Sequence, residues 1–166
     1  MSDKNALRIR AATAADVSLI LGFIRELAEY EKLSHEVVAT EADIHASLFG
    51  PKPVAECVLA ELHGQPVGFA LFFHNFSTFL GRPGIYLEDL YVRPTERGKG
   101  IGRKLLAQLA QLAVERRCGR LEWAVLDWNE PAIRFYENLG ARILKEWRIN
   151  RLTGKALENM ADEVSK

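Results

Sequence analysis

Metal-ligating residues are scarce in this chain, and those present do not cluster. Its 166 residues include two cysteines, Cys57 and Cys118, set far apart. The four histidines, His35, His45, His63 and His74, share no ligand-like grouping. Zinc-type spacing is therefore missing, no metal is expected, and two lone thiols suit a reducing compartment. Net charge is also lacking: 22 basic and 22 acidic residues cancel. No global field draws the chain to nucleic acid or to an anionic membrane. No apolar run reaches the roughly 18 residues of a membrane span, and the start, MSDKNALRIR, holds no apolar signal core. The expectation is a cytoplasmic protein without nucleic-acid or membrane partners. A hydrophobic share of 48% and a charged share of 27% are those of a globular chain. The length suits a single domain, 1–166, with its core over about 7–160.

The sequence is richer in local asymmetry. Residues 25–43 hold six acids against Arg25 and Lys32, and residues 93–104 hold five bases against Glu96. Within the basic stretch lies RGKGIG, Arg97 to Gly102. Three glycines among bases suggest a phosphate cradle, but two common cradles fail. A dinucleotide fingerprint needs glycine or alanine where Arg103 or Leu105 stands, and a P-loop needs a hydroxyl residue after its lysine.

The elements around the loop follow from periodicity. LRIRAA (7–12), VAECVLAELH (54–63), PVGFALFFHNF (66–76), IYLEDLYV (85–92), RLEWAVLDW (120–128) and RILKEWRI (142–149) read as strands. Residues 17–33 have helical spacing behind Thr13 and Asp16, and a short helix follows Thr40. Ile101, Leu105, Leu109 and Leu112 mark a helix straight after the glycines. Asn129 caps another, with Pro131 in its first turn and Gly140 at its end. A terminal helix over LTGKALENMA completes the order. The fold class is α/β (α+β), a mixed central sheet with helices on both faces. The glycine loop then joins a strand to a helix N-terminus, where free N–H groups and the helix dipole favour an anion.

Arg97-x-x-Gly100-x-Gly102 resembles the pyrophosphate loop of the GNAT family of N-acetyltransferases. RELAEYEKL, STFLGR, YLEDLYV and DWNEPAIRFYENLGA resemble its spermidine/spermine and thialysine branch. The resemblance implies acetyl-CoA as co-substrate, a small amine as acceptor and a homodimer. It implies that the backbone of Leu90, Tyr91 and Val92 pairs with the pantetheine arm. Arg97, Gly98, Lys99, Gly100, Ile101, Gly102 and Arg103 would form the pyrophosphate loop, and Asn129 would bond the cofactor arm. Tyr136 matches the acid that protonates the leaving thiolate, and Glu88 the base that takes the amine proton through water. Tyr30, Glu31, Ser77, Thr78, Glu88 and Asp89 would meet the amine.

Glu88 and Asp89 are neighbours in a strand, so a regular pleat points them to opposite faces. Glu88 is favoured as base, on a face shared with Tyr86, Leu90 and Val92, unless a bulge re-aims the strand. Ser77 stands where polyamine members carry an acid, which favours a diamino acid such as thialysine, lysine or ornithine. The alternatives are a spermidine/spermine enzyme, a protein or peptide N-acetyltransferase, and a CoA-binding sensor without catalysis.

Overall fold

The computed structural model describes residues 7–165. They fall into two compact units, divided between Ala124 and Val125.

The first unit is built on a sheet whose strands follow chain order: β1 (Arg8–Ala11), β2 (Glu56–Leu62), β3 (Gln65–Ser77), β4 (Arg82–Val92) and β5 (Leu121–Trp123). The first four are antiparallel and β4 pairs with β5 in parallel, so the sheet is mixed as expected. His63 and Gly64, both at positive φ, turn β2 into β3.

Helices cover both faces. On α1 (Val17–Tyr30), Ile20, Phe23 and Leu27 recur at helical spacing and are buried. They pack with Leu59, Phe69 and Tyr91 of the sheet and with Leu48 of α2 (Glu41–Phe49). Phe23 stacks on Phe69 at 5.5 Å. A capping box opens α2: the Asp43 N–H donates to Thr40 Oγ1 and the Thr40 N–H to the Asp43 carboxylate. The opposite face is that of Phe72, three residues on from Phe69 and so on the other side of the strand. The Arg116 guanidinium, at the end of α3 (Ile101–Glu115), lies 6.0 Å from its ring.

In the second unit, α4 (Glu130–Asn138) starts where expected, and α5 (Gly154–Asp162) forms the terminal helix. Two strand expectations are corrected. The strand expected over 120–128 ends at Trp123, and the chain then turns, with the Asn129 N–H on the Leu126 carbonyl. RILKEWRI forms no strand: the Trp147 N–H closes a turn onto the Leu144 carbonyl. Ile143 and Leu144 are adjacent apolar residues, so the segment lacks strict alternation, and no strand of the described chain pairs with it.

Candidate active site

Strand β4 has two different edges. Along one it pairs with β3 over its whole length, from Arg82 to Val92. Along the other it pairs with β5 only at Ile85, Tyr86 and Leu87, opposite Leu121, Glu122 and Trp123. Beyond Leu87 no strand among the described residues lies beside that second edge. From Leu90 to Val92 alternate residues turn their N–H and C=O groups to that edge, and of these the Val92 carbonyl accepts the Arg97 Nε–H at 2.9 Å.

The edge opens at a bulge. Leu71 faces Asp89 while Phe72 faces Leu87, which leaves Glu88 as the extra residue. Partners across a ladder share a face, so Leu87 lies on the Phe72 face and Asp89 on the Leu71 face. Tyr86, opposite Phe73, is on the Asp89 side, whereas Leu90, opposite Ala70, is on the other. The regular pleat expected from the sequence, with Tyr86, Leu90 and Val92 on one face, is thereby corrected. The extra residue at Glu88 resets the alternation.

The bulge separates two acidic environments. Glu88 is exposed, while Asp89 is half-buried on the side of α1. Burial raises the Asp89 carboxyl to about 6, and the charges of Glu88 and Glu31 push it the same way. Glu31, just past the end of α1, is itself raised by burial. Glu31 and Glu88 are thus both near enough for Asp89 to feel their charge, and Asp89 sits close to the pH at which it trades protons.

Beyond Val92 the chain makes one 3-10 turn, Pro94–Glu96, and enters the glycine loop. Gly98 and Gly100 have φ of +80° and +77°, which side chains with a Cβ avoid. A Cβ added at either would meet nothing within 4 Å, so these glycines serve the turn and leave open space beside it. Gly100 is also the N-cap of α3 and supplies no side chain to its first N–H groups. A polyanion such as a pyrophosphate fits this arrangement of open backbone donors.

The basic stretch is largely spoken for. Arg93 is paired with Glu26, and Lys99 with Glu96 at 2.6 Å. The Arg97 Nε donates to the Val92 carbonyl at 2.9 Å. Its guanidinium lies over the ring of Tyr30, 4.6 Å from the centroid, and 5.7 Å from that of Tyr91. Arg103 and Lys104, on the first turn of α3, are exposed and form no ion pair among the described residues. In the sequence Glu26 is one charge of an acidic run. Its pairing with Arg93 has no local sequence signal.

Tyr30, Glu31, Glu88 and Asp89 therefore gather around one end of α1, but Ser77 and Thr78 do not join them. Ser77 pairs with Arg82 at the far end of the β3–β4 hairpin. Seven residues of strand from Arg82 to Asp89, at about 3.3 Å each, make a separation of roughly 20 Å. Ser77 is 5% exposed, and its Oγ accepts the Leu80 N–H at 3.2 Å, closing the hairpin turn. Thr78 is exposed on that turn.

In the second unit, Asn129 does cap α4: its Oδ1 accepts the Ala132 N–H at 3.4 Å, and the residue is buried. Tyr136 is half-buried on the same helix, its ring 5.4 Å from that of Phe135.

A strand edge left open beside a parallel neighbour feeds a glycine turn at a helix N-terminus, an arrangement suited to an anionic group. The sequence profile of the Acetyltransferase (GNAT) family matches residues 23–141. Thialysine N-epsilon-acetyltransferase from Sus scrofa is 43% identical over 164 residues, covering 92% of this chain and 96% of its own. L-ornithine N5-acetyltransferase from Arabidopsis thaliana is 36% identical, covering 91% of this chain and 86% of its own. An integron cassette protein from the mobile metagenome of V. cholerae superposes with a TM-score of 0.78 at 28% identity, over 93% of this chain and 97% of that one. The chain belongs to the GNAT acetyltransferase family and is an N-acetyltransferase.

Proposed function

We propose that the chain moves the acetyl group of acetyl-CoA to the distal amine of a small diamino acid such as thialysine, lysine or ornithine. The observation that carries the reading is the open edge of β4, which runs from the acidic bulge directly into the glycine loop. The pantetheine arm would pair with Leu90, Tyr91 and Val92, and the pyrophosphate would meet the backbone from Gly98 to Arg103. Bound acetyl-CoA supplies a thioester carbon open to attack by an amine.

The chain's own groups then have clear tasks. An alkyl amine with a pKa near 10.4 is almost wholly protonated at neutral pH and must lose a proton to attack. Glu88, exposed on the bulge, takes that proton through water, and Asp89 beside it holds the ammonium in the ground state. A backbone N–H of the strand near Leu90 receives the developing oxyanion. Tyr136 protonates the departing thiolate, and Asn129 bonds the cofactor arm while it caps α4.

The names of the relatives support a diamino acid over a polyamine. The roughly 20 Å between the hairpin turn and Asp89 bears on Ser77 and Thr78. They reach an amine only if the turn enters the site of a second copy, which goes with the homodimer the branch implies. The exposed Trp147, Ile149 and Met160 of the second unit supply apolar surface for such an assembly. Light scattering at micromolar concentration is expected to give twice the chain mass, and a monomer would remove both ideas.

A thiol-release assay with acetyl-CoA tests the function across diamino acids, polyamines, aminoglycosides and peptides. The expected result is a higher kcat/KM for thialysine, lysine or ornithine than for spermidine or spermine. A clear preference for spermidine restores the polyamine alternative. Binding of CoA with no thiol release on any amine points to a sensor module.

A further inference from the structure

Arg97 opens the loop, yet its side chain leaves it. The guanidinium spends its Nε–H on the carbonyl of Val92, the last residue of β4. Its Cζ lies over the ring of Tyr30, the last residue of α1, at 4.6 Å from the centroid, and 5.7 Å from that of Tyr91. Among the described residues it forms no ion pair, unlike Arg93 and Lys99 on either side. Three elements meet at this one group: the end of the open strand edge, the start of the glycine turn, and the end of the helix that carries Glu31.

We propose that Arg97 is a positioning residue that couples occupancy of the glycine loop to the amine side of the site, through its stack on Tyr30. The inference rests on the cofactor reading above and adds to it a thermodynamic link. A fixed cation on the Tyr30 ring sets where α1 ends relative to Val92. The backbone of Val92 is part of the edge that receives the cofactor arm. Ordering that edge and loop orders the guanidinium, and the guanidinium orders Tyr30 and, next to it, Glu31. Coupling of this kind is reciprocal: whatever the loop's ligand does for the amine side, the amine side does for the ligand. Lysine is a poor replacement here, because a compact ammonium lacks the delocalised fork that donates to the Val92 carbonyl from Nε while its Cζ lies over the Tyr30 ring.

The test is a double-mutant cycle read as the Kd of coenzyme A by calorimetry, with no amine present. Tyr30→Leu removes the ring at a helix end, and Arg97→Lys removes the flat cation. Each is expected to weaken CoA binding three- to tenfold, and the double variant no further than the weaker single one. Tyr30→Phe and Tyr30→Trp keep a ring and should bind CoA within twofold of the parent. In turnover, Arg97→Lys should raise KM for both substrates more than it lowers kcat. Unchanged CoA affinity in Tyr30→Leu, or losses that simply multiply in the double variant, overturns the coupling while leaving the cofactor site standing. Failure of the unmodified chain to bind CoA overturns both, so the two failures are distinct. Thermal melts of each variant show that the folded protein is being measured.

Discussion

The guanidinium of Arg93 grips both carboxylate oxygens of Glu26, at 3.0 and 3.2 Å, across 67 positions of sequence. The same side chain lies 4.9 Å from the Phe23 ring and donates to the Pro66 carbonyl at 3.2 Å. The acidic and basic runs of the sequence are thus partly one structure, in which a cation from one neutralises an acid from the other. Arg93→Lys keeps the charge but loses the fork and the stacking. Both groups are partly exposed, so the expected loss is about 1 kcal/mol or less. It is measured as a small fall in Tm, larger at low ionic strength than at high.

Gly100→Asp tests the cradle. The residue sits at φ +77°, and the variant places a carboxylate where the helix start should receive phosphate. CoA binding measured by calorimetry should be lost, while a chelator added to the parent enzyme should leave its rate intact. Undiminished CoA affinity in the variant would falsify the assignment of the loop.

Asp89 makes stability depend on pH in a defined direction. Its carboxyl rises from the ordinary 3.8 to about 6 on folding, so the folded state favours the neutral form. Its contribution is complete below pH 3.8 and is lost as pH climbs through 6. Asp89→Asn removes the penalty, on the order of 1–3 kcal/mol at neutral pH. The variant should melt above the parent at pH 7–8, with the gap closing towards pH 4, and should bind amine more weakly. A variant that melts lower at every pH would mean that Asp89 has a structural partner.

Tyr136→Phe keeps the ring beside Phe135 and deletes the hydroxyl. If Tyr136 is the acid, kcat should fall 10²-fold or more, with CoA affinity and Tm held. An unchanged rate would make it a packing residue.

The glycine turn, its strand and its helix were legible because each is a local pattern: punctuation by Gly98 and Gly100, then apolar spacing from Ile101 through Leu109. The caps at Thr40 and Asn129 were legible for the same reason. RILKEWRI was misread because a strand is a property of its partner, and a partner leaves no mark in the segment itself. The bulge was invisible too, since whether Glu88 is paired depends on the register of β3. The site residues divide along the same line. Tyr30, Glu31 and Asp89 lie around one end of α1, whereas Ser77 is held away from them by the length of the hairpin. The stacking of Arg97 on Tyr30 had no sequence signal at all.

Glu88 is surplus to the ladder. Remove it, and Leu87 still faces Phe72, Asp89 still faces Leu71, and every other pair from Arg82 to Val92 keeps its partner and its face. A chain one residue shorter would therefore spell out the same sheet with the same core. It would differ at one joint, where the bulge and its bend would be gone. One supernumerary acid thus bends an otherwise regular strand and changes no pair on either side of it.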